Sequence, residues 1–328
     1  MIFFKDLRLP KPDFYLGAGS GSHTEQTAKI MLEFEKVLLK VKPDLVIVVG
    51  DVNSTIACSI VAVKLGVKVA HIEAGLRSFD RSMPEEINRI LTDSISNYLF
   101  VTEKSGYENL IKEGVSKKKI FFVGNTMIDS LINYINKSDE SKILNILNIC
   151  NNGYILVTLH RPSLVDNNKN LKTIINLLNK LSYYKKIIFP VHPRTKINIE
   201  KNKLTTKLDE NVIVCKPFGY IDFITLLKNA SLVITDSGGI QEETTFLQVQ
   251  CITLRQNTER PVTVKIGTNY LLKTNPEDFL SIKYLNKIKS LAVNLLNGKR
   301  LKKGKIPDKW DGKAGKRIVD ILVKKLAT

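Results

Sequence analysis

The chain has 328 residues, a formal net charge of +18 and a hydrophobic fraction of 43%, an ordinary globular composition whose length makes two domains the expectation. No stretch approaches the ~18 uninterrupted apolar residues of a membrane span, and no charged segment leads an apolar one as in a secretory signal, so a soluble, cytoplasmic protein without membrane insertion is expected. The densest basic group, Lys299, Arg300, Lys302, Lys303 and Lys305, lacks the interleaved aromatics of a single-strand-binding surface, and nucleic acid is not expected as a partner.

Residues 1–12 form an amphiphilic lead in which Pro10 and Pro12 break any helix. A glycine-rich run, Gly17 to Gly21, opens a helix carrying Ile30, Phe34, Val37 and Val41, with Ser22 and Glu25 at capping-box spacing. The run lacks the full dinucleotide fingerprint and reads as a structural turn. Val46 to Val49 is a β-branched strand ending in Gly50-Asp51, so a carboxylate stands at the strand end where α/β sheets bind ligands. A helix over 55–65, stopped by Gly66, leads to a second strand that ends in His71 and Glu73. Glu85 opens the next helix, with Arg89 one turn further on the same face. Strands over 98–101 and 120–123, and a helix over 105–113, complete this half.

The polar stretch 138–141 marks the expected boundary, giving domains of 1–139 and 140–312 with a last helix, 313–328, packing back on the first. In the second half, strands end at Leu159-His160-Arg161-Pro162, at His192-Pro193-Arg194, before Pro217-Phe218-Gly219-Tyr220, and at Asp236-Ser237-Gly238-Gly239. Basic or small residues at these ends contrast with the acids of the first half. The anionic part of a ligand is therefore expected on the second domain and acid/base chemistry on the first. Ser237-Gly238-Gly239 opening a helix suits a phosphate, since backbone N–H groups and the helix dipole favour negative charge. Glu243, one turn on, suits ribose hydroxyls.

Each motif has a plainer reading. Asp51 can serve as an N-cap, Glu85 as the partner of Ser82 in a capping box, and Ser237 as an N-cap before solvated acids. Phe223 can be core, and His71, His160 and His192 satisfied core histidines. Cys58, Cys150, Cys215 and Cys251 lie far apart, fitting neither a zinc site nor a disulfide framework, and read as buried thiols; no metal or cofactor is expected.

The Gly-Asp strand end, His71-Ile72-Glu73-Ala74-Gly75-Leu76-Arg77 and Met83-Pro84-Glu85-Glu86-Ile87-Asn88-Arg89, in this order and spacing, resemble the non-hydrolysing UDP-N-acetylglucosamine 2-epimerases. The likeness continues through Gly124-Asn125-Thr126 and Trp310-Asp311-Gly312-Lys313 nearly to the C-terminus. It implies two Rossmann-like α/β domains facing across a cleft in the manner of GT-B glycosyltransferases. The strand, Gly-Thr-Arg-Pro-Glu loop and Gly-Gln-His segment with which that family begins have no counterpart before Gly17, so the first domain is expected to be N-terminally incomplete. One departure is Leu247-Gln248, where glycine usually follows the leucine; its loss is expected to cost helix termination about 1 kcal/mol.

The resemblance implies that UDP-N-acetylglucosamine and UDP-N-acetylmannosamine are interconverted by elimination and re-addition of UDP, for polysaccharide precursor synthesis, by a homodimer without cofactor. It assigns Asp51, Glu73 and Glu85 as acid/base groups and His160 and Arg89 to the diphosphate or to orienting an acid. Phe223, Ser237, Gly238, Gly239, Glu243 and Arg260 would hold UDP, with His192 a possible allosteric contact. Rival readings are a GT-B glycosyltransferase and a catalytically impaired nucleotide-sugar-binding protein; some relatives take diacetamido uronic acid nucleotides.

Overall fold

The structure is a computed structural model that describes residue 7 and residues 9–327; residues 1–6 and 8 of the amphiphilic lead, and residue 328, lie outside the described residues. The fold is α/β, with one parallel sheet in each of two units. One unit is Pro10–Asp129 together with the segment from Asp308 on; the other is Ser130–Pro307 with the described residues before Pro10. The division falls within the helix Thr126–Ile135, and the polar stretch at 138–141 follows it, mostly in the 3₁₀ turn Asn136–Glu140.

The first unit carries β1 (Leu45–Val49), β2 (Lys68–Ile72), β3 (Tyr98–Val101) and β4 (Ile120–Phe122) in the order β1-β2-β3-β4. Side chains alternate faces along a strand, and the packing follows. Leu99 and Val101 face Leu110 of the helix Lys104–Lys112, while Phe100 and Ala70 meet Ile318 and Leu322. Those last two sit one turn apart on the C-terminal helix Ala314–Leu326, whose first N–H groups, from Ala314 and Gly315, donate to Asp129 at 3.1 and 2.7 Å. Trp310 is buried just before it and donates its indole N–H to Thr102 O at 3.1 Å. β1 pairs only with β2 among the described residues, and its Ile47 and Val49 are 50% and 51% exposed.

The second unit carries β5 (Tyr154–Thr158), β6 (Lys186–Pro190), β7 (Val212–Cys215), β8 (Leu232–Thr235), β9 (Cys251–Thr253) and β10 (Asn269–Leu271), ordered β10-β9-β8-β5-β6-β7. Its central strands are covered on both faces, so they read as continuous apolar runs. Ile155 and Val157 pack with the helix Asn168–Ser182 on one side, and Tyr154 and Leu156 with Leu226 and Leu227 on the other. The chain runs outward from β5 to β7 and restarts at β8 beside β5. The strand order thus reverses between β5 and β8, the point at which open α/β sheets bind ligands.

Two expectations are corrected here. Cys150 is exposed, so the four free thiols are not all buried. The helix after β1 is Asn53–Lys64, and its N-cap is Val52, without a side-chain cap bond, so Asp51 is not the N-cap. The Ser22–Glu25 capping box does form, with both reciprocal bonds present. No helix of the described residues is long and apolar enough to cross a membrane.

Candidate functional site

In the first unit β1 and β2 run side by side, Val49 opposite Ile72, and Gly50 N–H donates to Ile72 O at 3.1 Å. The residues that follow, Asp51 and Glu73, therefore emerge at the same sheet edge. Arg89 Nε donates to Asp51 Oδ2 at 2.9 Å, and the neighbouring Asn88 holds the Asp51 carbonyl at 2.8 Å. Arg89 is buried, and its Nη1 bonds Glu86, which is buried too. Glu86 also accepts the N–H groups of Ser78 and Phe79, each at 2.9 Å. The sequence reading missed Glu86: it fixes the loop after β2 to this helix and aims Arg89 at Asp51.

Glu73 has φ +73°, a left-handed conformation that costs a non-glycine residue about 1–3 kcal/mol. Two residues on, Gly75 has φ +78° and no room for a side chain: a Cβ there would lie 2.3 Å from Gly106 O. The backbone that presents Glu73 is thus clamped by close packing rather than by local preference. Glu85 is partly exposed at the second position of the helix Pro84–Ile95. The N-cap there is Met83, and the Ser82 hydroxyl bonds Asp80 at 2.6 Å, so the capping-box reading of Glu85 fails.

His71 belongs to the scaffold. Its Nδ1 lies 2.7 Å from Asp93 Oδ1 and its Nε2 2.9 Å from Gly50 O, inside the protein. Asp93 also binds Gly75 N–H at 3.0 Å and Arg77 at 2.7 Å, and Arg77 forks onto both oxygens of Glu113 at 2.8 and 2.7 Å. Burial pushes the Asp93 carboxyl up, but the bonds and charges of His71 and Arg77 outweigh it and hold it below its usual range.

In the second unit the switch point brings together the ends of β5 and β8, paired at Thr158 and Thr235. His160 Nδ1 lies 2.9 Å from Asp236 Oδ1, while Asp236 Oδ2 accepts the N–H groups of His160 and Arg161 at 3.0 and 2.8 Å. Asp236 is fully buried. Its hydrogen bond raises the His160 pKa, against a smaller opposing effect of burial, and leaves Nε2 as the nitrogen not engaged by the carboxylate. The motif Asp236-Ser237-Gly238-Gly239 alone does not reveal this role of Asp236.

A pocket of about 330 Å³ within this unit is lined by Thr158, His160, His192, Tyr220, Phe223 and Ile240, among others. Phe223 is a wall of that pocket as well as a neighbour of the core. His192 caps the helix Pro193–Lys201, its Nδ1 accepting Arg194 N–H at 3.3 Å. Ser237 stands at the N-cap of the helix Gly238–Leu247 but makes no side-chain cap bond, contrary to the plainer reading. Gly238 lies against a charged cluster: Arg260 is 2.9 Å from Glu242, and Arg255 is 2.6 Å from Glu259. Glu243 is buried and accepts the Tyr220 hydroxyl at 3.0 Å.

Asp51 and Arg89 are thus joined in the first unit. His160, His192 and Phe223 share a pocket in the second, with Glu243 tied to it through Tyr220. Among the described residues no three His, Cys, Asp or Glu side chains gather as metal ligands.

The sequence model of the family described as UDP-N-acetylglucosamine 2-epimerase matches residues 1–323. The UDP-N-acetylglucosamine 2-epimerase of Methanocaldococcus jannaschii is 47% identical over 98% of this chain and 86% of its own length. The UDP-2,3-diacetamido-2,3-dideoxy-D-glucuronate 2-epimerase of Pseudomonas aeruginosa is 43% identical over 83% of this chain and 75% of its own. Among solved structures, the M. jannaschii UDP-GlcNAc 2-epimerase in complex with UDP-GlcNAc and UDP superposes with a TM-score of 0.88, at 46% identity, over 98% of this chain and 87% of that one.

Proposed function

The chain belongs to the UDP-N-acetylglucosamine 2-epimerase family, and from that premise we propose that it is an isomerase interconverting UDP-N-acetylglucosamine and UDP-N-acetylmannosamine. The observation that carries this reading is the pair of carboxylates at adjacent strand ends: Asp51, held by Arg89, and Glu73, held in left-handed backbone. The C2 proton of an N-acetylhexosamine has no neighbouring carbonyl to acidify it. Inversion by simple deprotonation is therefore too costly, and elimination offers a way round it.

A carboxylate removes the proton from C2 while the C1–oxygen bond breaks. UDP leaves with the electron pair, and a C1–C2 double bond remains. UDP then adds back to C1 as C2 takes a proton on its opposite face. Asp51, Glu73 and Glu85 supply the acid and base. Stabilising UDP as it leaves falls to His160, whose pKa the bond to Asp236 raises, and to the N–H groups at the start of the helix Gly238–Leu247, with Arg260, Phe223 and Glu243 engaging the nucleotide. The enzyme is proposed to act in the cytoplasm, and as a homodimer.

NMR in deuterium oxide tests the reaction: deuterium should enter C2 of both epimers. Interconversion without deuterium uptake would refute the elimination route. The similarity to a diacetamido-glucuronate epimerase makes the choice of sugar a second question. The ratio of kcat/KM for the two UDP-sugars answers it.

A further inference from the structure

Tyr220 is the first residue of the helix Tyr220–Lys228, follows the N-cap Gly219, and lines the same pocket as His160 and Phe223. Its ring stands edge-on to Tyr134, with centroids 6.1 Å apart, and its hydroxyl reaches Glu243 Oε1 at 3.0 Å. The phenol is thus fixed from behind and committed in front. Burial, reinforced by the Glu243 charge, raises the phenol pKa, so the hydroxyl keeps the proton it donates to Glu243.

Glu243 is 5% exposed and lies within the helix Gly238–Leu247. A carboxylate has about four acceptor positions on two oxygens, and the Tyr220 bond occupies one of them. That bond fixes the plane of the carboxyl group and, unlike a lysine or arginine in the same place, brings no countercharge. A vicinal diol, with two hydroxyl donors on one side of a sugar ring, matches what remains. Such a buried acceptor discriminates strongly, because a ligand lacking one hydroxyl leaves it dehydrated and unpaired.

Resting on the reading of this unit as the UDP-binding unit, we propose that Tyr220 is a positioning residue for ribose recognition. It pins Glu243 so that the carboxylate meets the 2′- and 3′-hydroxyls, and so makes the protein prefer UDP over 2′-deoxy-UDP. Tyr220 acts on the ribose hydroxyls through Glu243.

Calorimetry on the full chain with UDP and 2′-deoxy-UDP, for wild type, Tyr220→Phe, Glu243→Gln and the double variant, tests this. Tyr220→Phe keeps the ring against Tyr134 and removes only the hydroxyl. UDP affinity should fall about tenfold in Tyr220→Phe and 2′-deoxy-UDP affinity much less, narrowing the ratio between them. In the Glu243→Gln background the same change should add little. Steady-state KM should rise while kcat stays within about twofold, the mark of binding lost equally from ground and transition states. An unchanged UDP to 2′-deoxy-UDP ratio in Tyr220→Phe, with UDP affinity lost in Glu243→Gln, would overturn the role of Tyr220 alone. Full UDP affinity in Glu243→Gln would overturn both this role and the placement of ribose at Glu243.

Discussion

Arg89 Nε sits 2.9 Å from Asp51 Oδ2 while its Nη1 bonds the buried Glu86, so one guanidinium joins an acid at the sheet edge to an acid in the interior. Glu86→Ala should therefore do two things at once. It strands Arg89 and the N–H groups of Ser78 and Phe79, at a cost of roughly 3 kcal/mol in urea unfolding. It also lowers kcat by letting Arg89 turn from Asp51. A loss under about 0.5 kcal/mol would show that Glu86 is not the anchor described.

Glu73 trades stability for position. Replacing it by glycine should relieve its left-handed backbone and raise stability by about 1 kcal/mol while abolishing deuterium exchange at C2. Glu73→Gln keeps the backbone cost and should still lose ~10²–10⁴-fold in rate, with UDP binding retained. Full exchange activity in either variant would remove Glu73 from the acid/base set.

Two raised pKa values make stability fall with pH. His160 is raised above 6.5, first by its bond to Asp236, so its contribution is complete below pH 6.5 and is lost as pH rises through its folded value. Glu243 is pushed by burial from 4.5 up to about 7, so the fold favours its neutral form. Its contribution is complete below pH 4.5 and is lost as pH rises through about 7. Thermal unfolding followed from pH 5 to 8 should show Tm declining, with Glu243→Gln flattening the lower part of the slope and His160→Gln the upper. A Tm that climbs across this range would contradict both assignments.

The helix Gly238–Leu247 ends on Gln248 at φ +59°, whose N–H caps Thr244 and Thr245, so the chain closes this helix in left-handed geometry without glycine. The Gln248 side chain is exposed, although it also bonds Thr245 O at 2.6 Å. Gln248→Gly should raise stability by up to about 1 kcal/mol. A lower Tm would mean that the side-chain bond outweighs the backbone strain.

The strands were legible because their β-branched runs end in Gly-Asp, His-Ile-Glu and Asp-Ser-Gly-Gly, and parallel sheets place such ends on one edge. What could not be read was which acids the fold would bury. Glu85 and Glu86 are adjacent, yet successive helical residues point about 100° apart: Glu85 is partly exposed and Glu86 buried against Arg89. Asp93 carries no motif of its own; its role comes from β2, which brings His71 to it, and from the following loop, which brings Arg77. His71 stands in the same motif as Glu73, but alternation along β2 turns it inward to the Gly50 carbonyl. Tyr220 gave no periodic signal, because its partner Glu243 is 23 residues away on another helix.

The outer edge of β1 bears on how the protein behaves as a colloid. Its five residues, Leu45–Val49, contain neither proline nor charge, and two of its side chains offer apolar surface to water. Natural edge strands commonly carry lysine or proline against unwanted lateral pairing; β1, at the sheet edge among the described residues, has neither. Mutual repulsion from the excess of 18 positive charges per chain is then what opposes lateral pairing of this edge beyond the proposed homodimer. Salt shortens the reach of that repulsion to about 3 Å at 1 M, so concentrated brine, usually a safe storage medium for a basic protein, is where this chain should turn cloudy first.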